Sequence, residues 1–218
     1  MTITEKYGFR VSVDQFGKSV HPTFFERWET VPIELFEQEA LELKIQNKPI
    51  SSMVELGAAN AYYSLLFKHI IGKDRTLNIM VEPFRWRLEM GEKEFALNNC
   101  KGIFYNAGVG KAWKWDNKTS KVPTVTLKLI MLNAHLSEID FLHCDIDGSE
   151  LQMLQDNRKT FEEGKIRWAF IYTHESLVKK GHHDECKQFF NDLNYDLKHE
   201  WFCKERKTDD LLVYRLRE

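Results

Sequence analysis

From Ser51 onward the chain alternates short apolar stretches with segments of helical length, and this alternation restricts its fold more than any other feature. The strand-like stretches read SSMVELG, TLNIMVEP, GIFYNAGVG, IDFLHCDI and IRWAFIYTHE. Between them lie residues 61–71, residues 84–98 with Phe84, Leu88, Gly91 and Phe95 on one stripe, a helix from about residue 149 and another near 184–193. Parallel neighbours need such crossovers, and a sheet buried on both faces accepts continuous apolar runs. The last two candidate strands, YDLKHEWF and DLLVYRL, are separated only by CKERKTDD, too short for a crossover helix, so they form an antiparallel hairpin at or near the sheet edge. The expected class is α/β: a Rossmann-like sheet, mostly parallel, with helices on both faces and a C-terminal antiparallel hairpin.

Residues 1–50 stand apart as an N-terminal helical extension. VPIELFEQEALELKIQN puts Ile33, Phe36, Ala40 and Leu43 on one face behind Pro32. Its aromatics Phe24, Phe25 and Trp28 serve either as a lid over an acceptor or as core. Residues 110–124, GKAWKWDNKTSKVPT, break the apolar periodicity and read as an inserted surface loop. There Trp113 and Trp115 alternate with lysines, which suits stacking on a sugar ring or simply pins the loop.

Lysine plus arginine number 31 against 33 aspartates plus glutamates, a formal charge of −2, so no global basic field calls for nucleic acid as a partner. No apolar run approaches the roughly 20 residues of a membrane span, and the first twenty residues mix charged and polar types; a soluble, cytoplasmic protein is expected. Cys100, Cys144, Cys186 and Cys203 form no Cys-x-x-Cys pair and read as reduced, mostly buried thiols. These patterns set no oligomeric state.

The first strand runs into Glu55, Leu56, Gly57, Ala58, Ala59, Asn60 and Ala61 before the first crossover helix. Ligands of doubly wound sheets bind at such turns, beyond the carboxyl ends of the strands. A glycine with small neighbours equally makes a well-packed corner. The next strands add to the pattern: Glu82, 25 residues after Gly57, ends the second, where a carboxylate accepts ribose hydroxyls, and Asn106 ends the third, where an amide can meet an adenine edge.

The run VELGAANAYYS, VEP, NAGVG, TVTLKL and IDFLHCDIDGSE resembles the FkbM family of S-adenosylmethionine-dependent methyltransferases over roughly residues 53–175. The resemblance implies a seven-stranded class I methyltransferase domain over 51–218, O-methylation of a hydroxyl on a small molecule or glycan, and S-adenosyl-L-methionine across the first three strand ends. It implies that Gly57 with Glu55, Ala59, Asn60, Tyr62, Tyr63 and Ser64 faces the methionine part. Glu82 with Pro83 and Phe84 would take the ribose, Asn106 with Ala107 the adenine, and Asp145 completes the donor site. Against the family turn Gly-Ala-Asn-x-Gly, this chain has Ala59 in the asparagine place and Ala61 in that of the second glycine. The later Asp-x-Glu-Gly-x-Glu appears as Asp145, Ile146, Asp147, Gly148, Ser149 and Glu150, and His143 replaces the lysine two before the first acid.

A methyl acceptor hydroxyl must lose a proton, and the candidate bases are His174 or Asp145, with His143 next. Strand alternation puts His143 and Asp145 on one face, alongside Phe141. Asp145, Asp147, Glu150 and Glu175 are hard oxygen ligands suited to a divalent ion, whereas Asp147 and Glu150 also suit a helix start, and the second use is preferred. GHHDEC, residues 181–186, is expected to be a solvated loop, with Asp184 capping the helix that follows. Two other readings stand beside the methyltransferase: a nucleotide-sugar glycosyltransferase holding a metal at CDID, and a methyltransferase-like binding module without activity.

Overall fold

The computed structural model describes residues 6–12, 30–110, 122–203 and 210–217. Trp113 and Trp115, and the aromatics Phe24, Phe25 and Trp28 of the expected lid, lie outside the described residues. The described elements run α1 (Thr30–Ile45), β1 (Ser51–Leu56), α2 (Tyr62–Ile71), β2 (Thr76–Val81), α3 (Arg85–Leu97), β3 (Ile103–Tyr105), β4 (Gly108–Val109) and β5 (Thr124–Val125). They continue with α4 (Leu127–Asn133), β6 (Ile139–Cys144), α5 (Glu150–Asp156), α6 (Arg158–Glu162), β7 (Ile166–Thr173), α7 (His182–Phe189), β8 (Tyr195–Trp201) and β9 (Asp210–Leu216).

Seven strands form the main sheet in the order β3-β2-β1-β6-β7-β9-β8, and β4 with β5 makes a separate parallel ladder. The β1–β2, β2–β3 and β6–β7 pairs are parallel, whereas β9 runs antiparallel to both β7 and β8. The expected sheet and hairpin are therefore present, with β9 inside the sheet and β8 at its edge. Every residue of β1 and of β6 is buried, as strands covered on both faces require. The chain divides into two compact units, Met1–Asn106 and Ala107–Glu218.

In the first unit, α1 buries the stripe read from the sequence: Ile33, Phe36, Ala40 and Leu43 are all at most 1% exposed. The stripe meets α2, where the Phe36 ring lies 5.1 Å from Tyr63 and 6.4 Å from Phe67. The segment ahead of it is tied to α3. Asn98 Oδ1 accepts from the Arg10 amide at 2.7 Å and its Nδ2 donates to the Arg10 carbonyl at 2.7 Å, while the Glu94 carboxylate accepts from the Ser12 amide at 3.0 Å.

In the second unit, Phe141 of β6 stacks on Phe170 of β7 at 5.1 Å. Phe190 stacks on Tyr214 of β9 at 3.8 Å, so the hairpin is bound to the core by aromatic faces. Helix α4 lies beyond the break at 110–124, in a stretch for which the apolar pattern predicts no element; Thr126 caps it, its hydroxyl accepting from the Leu129 amide at 3.2 Å.

Phe36 makes α1 part of the core rather than a removable cover. Phe36→Ala should lower unfolding stability by about 3–5 kcal/mol in urea denaturation; a loss below about 1 kcal/mol would show α1 to be detachable.

Candidate functional site

The first unit carries a strained turn at the end of β1. Gly57, Ala59 and Ala61 have φ of 77°, 43° and 60°, three left-handed residues among five. Left-handed backbone costs an L-residue roughly 1–2 kcal/mol, and such strain persists where surroundings over-determine it, commonly at ligand sites. Ala61 heads α2 without a side-chain cap, at the place where the resembling family turn has its second glycine. Its φ supplies the physical reason for that glycine. Gly91 of α3 runs close by: a Cβ there would lie 3.2 Å from the Ala59 carbonyl oxygen and 3.3 Å from the Ala61 Cβ.

Two buried carboxylates shape this end of the unit. Glu55, 2% exposed, accepts from the Ser64 amide at 3.1 Å and so takes one of the unpaired donors at the α2 N-terminus. Glu82, also 2% exposed, accepts from the Ala59 amide at 3.1 Å and from the Phe84 amide at 2.9 Å, joining the turn after β1 to the turn after β2. Asn106 spends its Nδ2 on the carbonyls of Glu82 and Pro83, at 3.0 and 2.8 Å, so its amide donor shapes the β2 end. Tyr62 and Tyr63 turn their rings into the core against Phe9 and Phe36, and Ser64 is fully buried. Asn60 is buried beside them, and Pro83 and Phe84 are half-buried.

The second unit gathers its ionisable side chains around Glu150, the first residue of α5, whose side chain has no solvent exposure. Oε1 accepts from His174 Nδ1 at 2.8 Å, from the Gly148 amide at 3.0 Å and from the Ile146 amide at 3.3 Å. Oε2 accepts from His182 Nε2 at 3.0 Å. On its far side, His174 Nε2 lies 3.2 Å from Asp145 Oδ1. Asp145 is 38% exposed and His174 only 4%, so the carboxylate is the member of this array that a solute can reach.

Burial opposes a charge on His174, but hydrogen bonds to Asp145 and Glu150 outweigh it and push its pKa up to about 11. Burial likewise opposes the Glu150 carboxylate, yet the bonds from His174 and His182 hold its pKa down to about 2. At neutral pH His174 is an imidazolium between two carboxylates. His143 differs: burial lowers its pKa to about 4, leaving a neutral ring 5.4 Å from that of Tyr172.

Of the three candidate bases, the structure thus joins His174 to Asp145 and leaves His143 in the core. The second histidine of the cluster is His182. The expectation of a solvated loop at 181–186 is corrected here: α7 starts at His182, two residues before Asp184, and buries His182, His183 and Cys186. His182, Cys186 and Phe189 follow helical spacing (i, i+4, i+7), and a helix begun two residues earlier in the sequence would have revealed that stripe. Glu150 is an acid in the first turn of α5, as its sequence position implies, and it also binds both histidines.

Asp145, Asp147 and His174 each bring one side-chain N or O atom within 4.8 Å of the others, but an imidazolium at His174 has no lone pair to give a metal ion, so the cluster is an ion-pair array. Asp147 is exposed with φ of 51°, and Gly148 beside it has φ of 97°. A Cβ on Gly148 would lie 2.4 Å from Val178 Cγ2, so the 147–148 turn and the segment after His174 are in close contact. Ala107 is buried at the start of this unit. Among the described residues no helix is long and apolar enough to cross a membrane.

A sequence model described as Methyltransferase FkbM domain matches residues 55–197. No curated protein matches the chain. Among solved structures, the METTL16 MTase domain superposes with a TM-score of 0.64 at 14% identity, over 99% of this chain and 77% of that one. Methyltransferase FkbM from Methylobacillus flagellatus KT gives 0.56 at 14% identity, over 87% and 59%. M. capricolum TrmK, solved in complex with S-adenosyl-homocysteine, gives 0.53 at 14% identity, over 82% and 68%. At these identities the likeness establishes a shared methyltransferase fold.

Two predictions arise from this geometry. Ala61→Gly should stabilise the protein by about 0.5–1 kcal/mol, left-handed strain relieved less the entropy of a glycine; a destabilised variant in urea titration would refute the strain. The pH dependence of stability follows from three shifts. Glu150, depressed from 4.5, contributes fully above 4.5 and loses its contribution as pH falls toward 2. His143, depressed from 6.5, costs stability as pH falls from 6.5 toward 4, because the unfolded ring protonates first. His174, raised from 6.5, contributes fully below 6.5 and loses its contribution as pH rises toward 11. The thermal midpoint should therefore peak close to pH 6.5, and a midpoint that climbs from pH 7 to 9 would contradict the charged His174.

Proposed function

The chain belongs to the FkbM methyltransferase family, and on that premise we infer that it transfers the methyl group of S-adenosyl-L-methionine to a hydroxyl, carried by a sugar or glycan. Bound S-adenosyl-L-methionine supplies an electrophilic methyl on a sulfonium. What the chain must add is a grip on the donor, alignment of the acceptor and a place for the hydroxyl proton.

The grip is assigned to the first unit. Glu82 is a buried carboxylate at the end of β2, already bridging two strand-end turns, and it suits the paired hydroxyls of a ribose. The left-handed turn from Gly57 to Ala61 gives the backbone a close approach to the methionine part. A buried acid and a strained small-residue turn at these two strand ends fit the cofactor.

The observation that carries the hydroxyl reading is Asp145, an accessible carboxylate held by an imidazolium that is itself anchored on a buried carboxylate. As the new C–O bond forms and the methyl–sulfur bond breaks, the acceptor oxygen becomes oxonium-like and strongly acidic, so a carboxylate within reach takes its proton. His174, already protonated at neutral pH, holds Asp145 in place rather than acting as the first base. The neutral, core-bound His143 is left out of the chemistry. A carbohydrate acceptor is supported by the formal charge of −2, which offers no sequence-wide attraction for a polyanion.

The test joins donor binding to turnover. Glu82→Ala should weaken S-adenosyl-homocysteine binding by about 1.5–3 kcal/mol in isothermal titration calorimetry; unchanged affinity in a folded variant would overturn the donor site. Asp145→Asn should leave that affinity within about twofold and lower methyl transfer about a hundredfold or more, measured with tritiated donor over a panel of glycosides and RNA oligonucleotides. Label entering RNA and no glycoside would overturn the acceptor class.

A further inference from the structure

The Glu150 cluster contains more than Asp145 and His174 require. Glu150 Oε1 is held by three donors, two of them backbone amides of the 146–148 turn. Among the described residues, Oε2 is held by His182 alone. A fully buried carboxylate oxygen without a donor is costly, so this one bond sets the rotation of the carboxylate plane. That plane in turn sets the direction in which His174 Nδ1 must point, and hence where Nε2 faces.

We propose that His182 is a positioning residue for methyl transfer: through Glu150 it fixes the His174 ring, and His174 fixes Asp145. The inference rests on Asp145 being the proton acceptor. Its geometry is a line of three elements, α7 to α5 to the end of β7, with the exposed carboxylate at its tip. The ionisable groups facing His174 are Asp145 and Asp147 from the segment after β6 and Glu150 from α5, with His182 and Cys186 of α7 behind Glu150. The neighbouring His183 serves another line, pairing its Nδ1 with the Thr173 hydroxyl at 2.8 Å and its Nε2 with Glu200 at 3.0 Å. The two histidines therefore differ in role although adjacent in sequence. His183 stitches α7 to β7 and β8, and His182 reaches the reactive carboxylate through two intermediaries.

Two variants separate positioning from packing. In His182→Gln the side-chain amide can place a donor near the position of the imidazole Nε2, whereas His182→Leu fills similar space without a donor. The readout that needs no acceptor is the imidazole 15N spectrum of the intact protein, in which an immobilised imidazolium shows both ring N–H groups protected from solvent exchange. His174 should show this pattern in the wild type and in His182→Gln. In His182→Leu its Nδ1–H should exchange at least about tenfold faster, since the carboxylate plane is no longer held. S-adenosyl-homocysteine affinity should stay the same in all three proteins. With an acceptor in hand, kcat should fall about tenfold or more in His182→Leu, at constant KM, and recover in His182→Gln.

A protected His174 in His182→Leu overturns the proposal. So does failure of His182→Gln to restore what His182→Leu loses, which would make His182 a packing residue. If instead the spectra behave as expected while Asp145→Asn transfers methyl at the wild-type rate, the fault lies in the assignment of the base, and the positioning line stands as structure without that role.

Discussion

A carboxylate without access to water must find all its donors inside the protein, and in the second unit Glu150 imposes that requirement on everything around it. Two backbone amides of the 146–148 turn answer it, which forces the left-handed Asp147 and Gly148 and brings α5 in directly after them. Two histidines answer the rest, which places the end of β7 and the first turn of α7 around the same side chain. One buried charge thus determines where a turn, two helices and a strand end lie. The array it organises ends on the accessible carboxylate of Asp145.

Glu82 plays the corresponding part in the first unit. Its two bonds to the amides of Ala59 and Phe84 hold the turns after β1 and β2 together at the end of the parallel strands. A parallel sheet leaves backbone donors exposed at the carboxyl ends of its strands and at the helix N-termini that follow, and acids collect there for that reason. The same electrostatics that stabilise the corner make it suitable for a ligand. The packing and ligand readings of the Gly-Ala-Ala turn call on the same contacts, so the first does not exclude the second.

Charge state divides His143 from His174 more sharply than position does. His143 and His174 both come from central strands, yet one is a neutral core ring and the other an imidazolium. At His143, beside the Tyr172 ring, burial outweighs the opposing pull of the Asp145 charge and keeps the imidazole neutral. His174 is flanked by acids on both ring nitrogens, and their attraction exceeds the cost of burial. A histidine between two acids is a structural cation, because the attraction of both carboxylates outweighs the cost of burying its charge.

The sequence by itself determined the alternation of strands and helices, the mixed sheet with its terminal hairpin, the α1 stripe of Ile33, Phe36, Ala40 and Leu43, and the family. All of these rest on local periodicity, loop length or contiguous motif, which a linear chain displays. It also pointed to Gly57, Glu82, Asp145 and His174, because strand ends are legible once the strands are. Only the tertiary structure decided which residues meet. His182 lies 32 positions from Glu150, and nothing local to either announces the bond between them. Nor does spacing reveal that Asn106 turns its donor onto the β2 end, or that His143 and His174 carry different charges. Contacts and ionisation depend on the field of all neighbours in space, and that field exists only after the chain has folded.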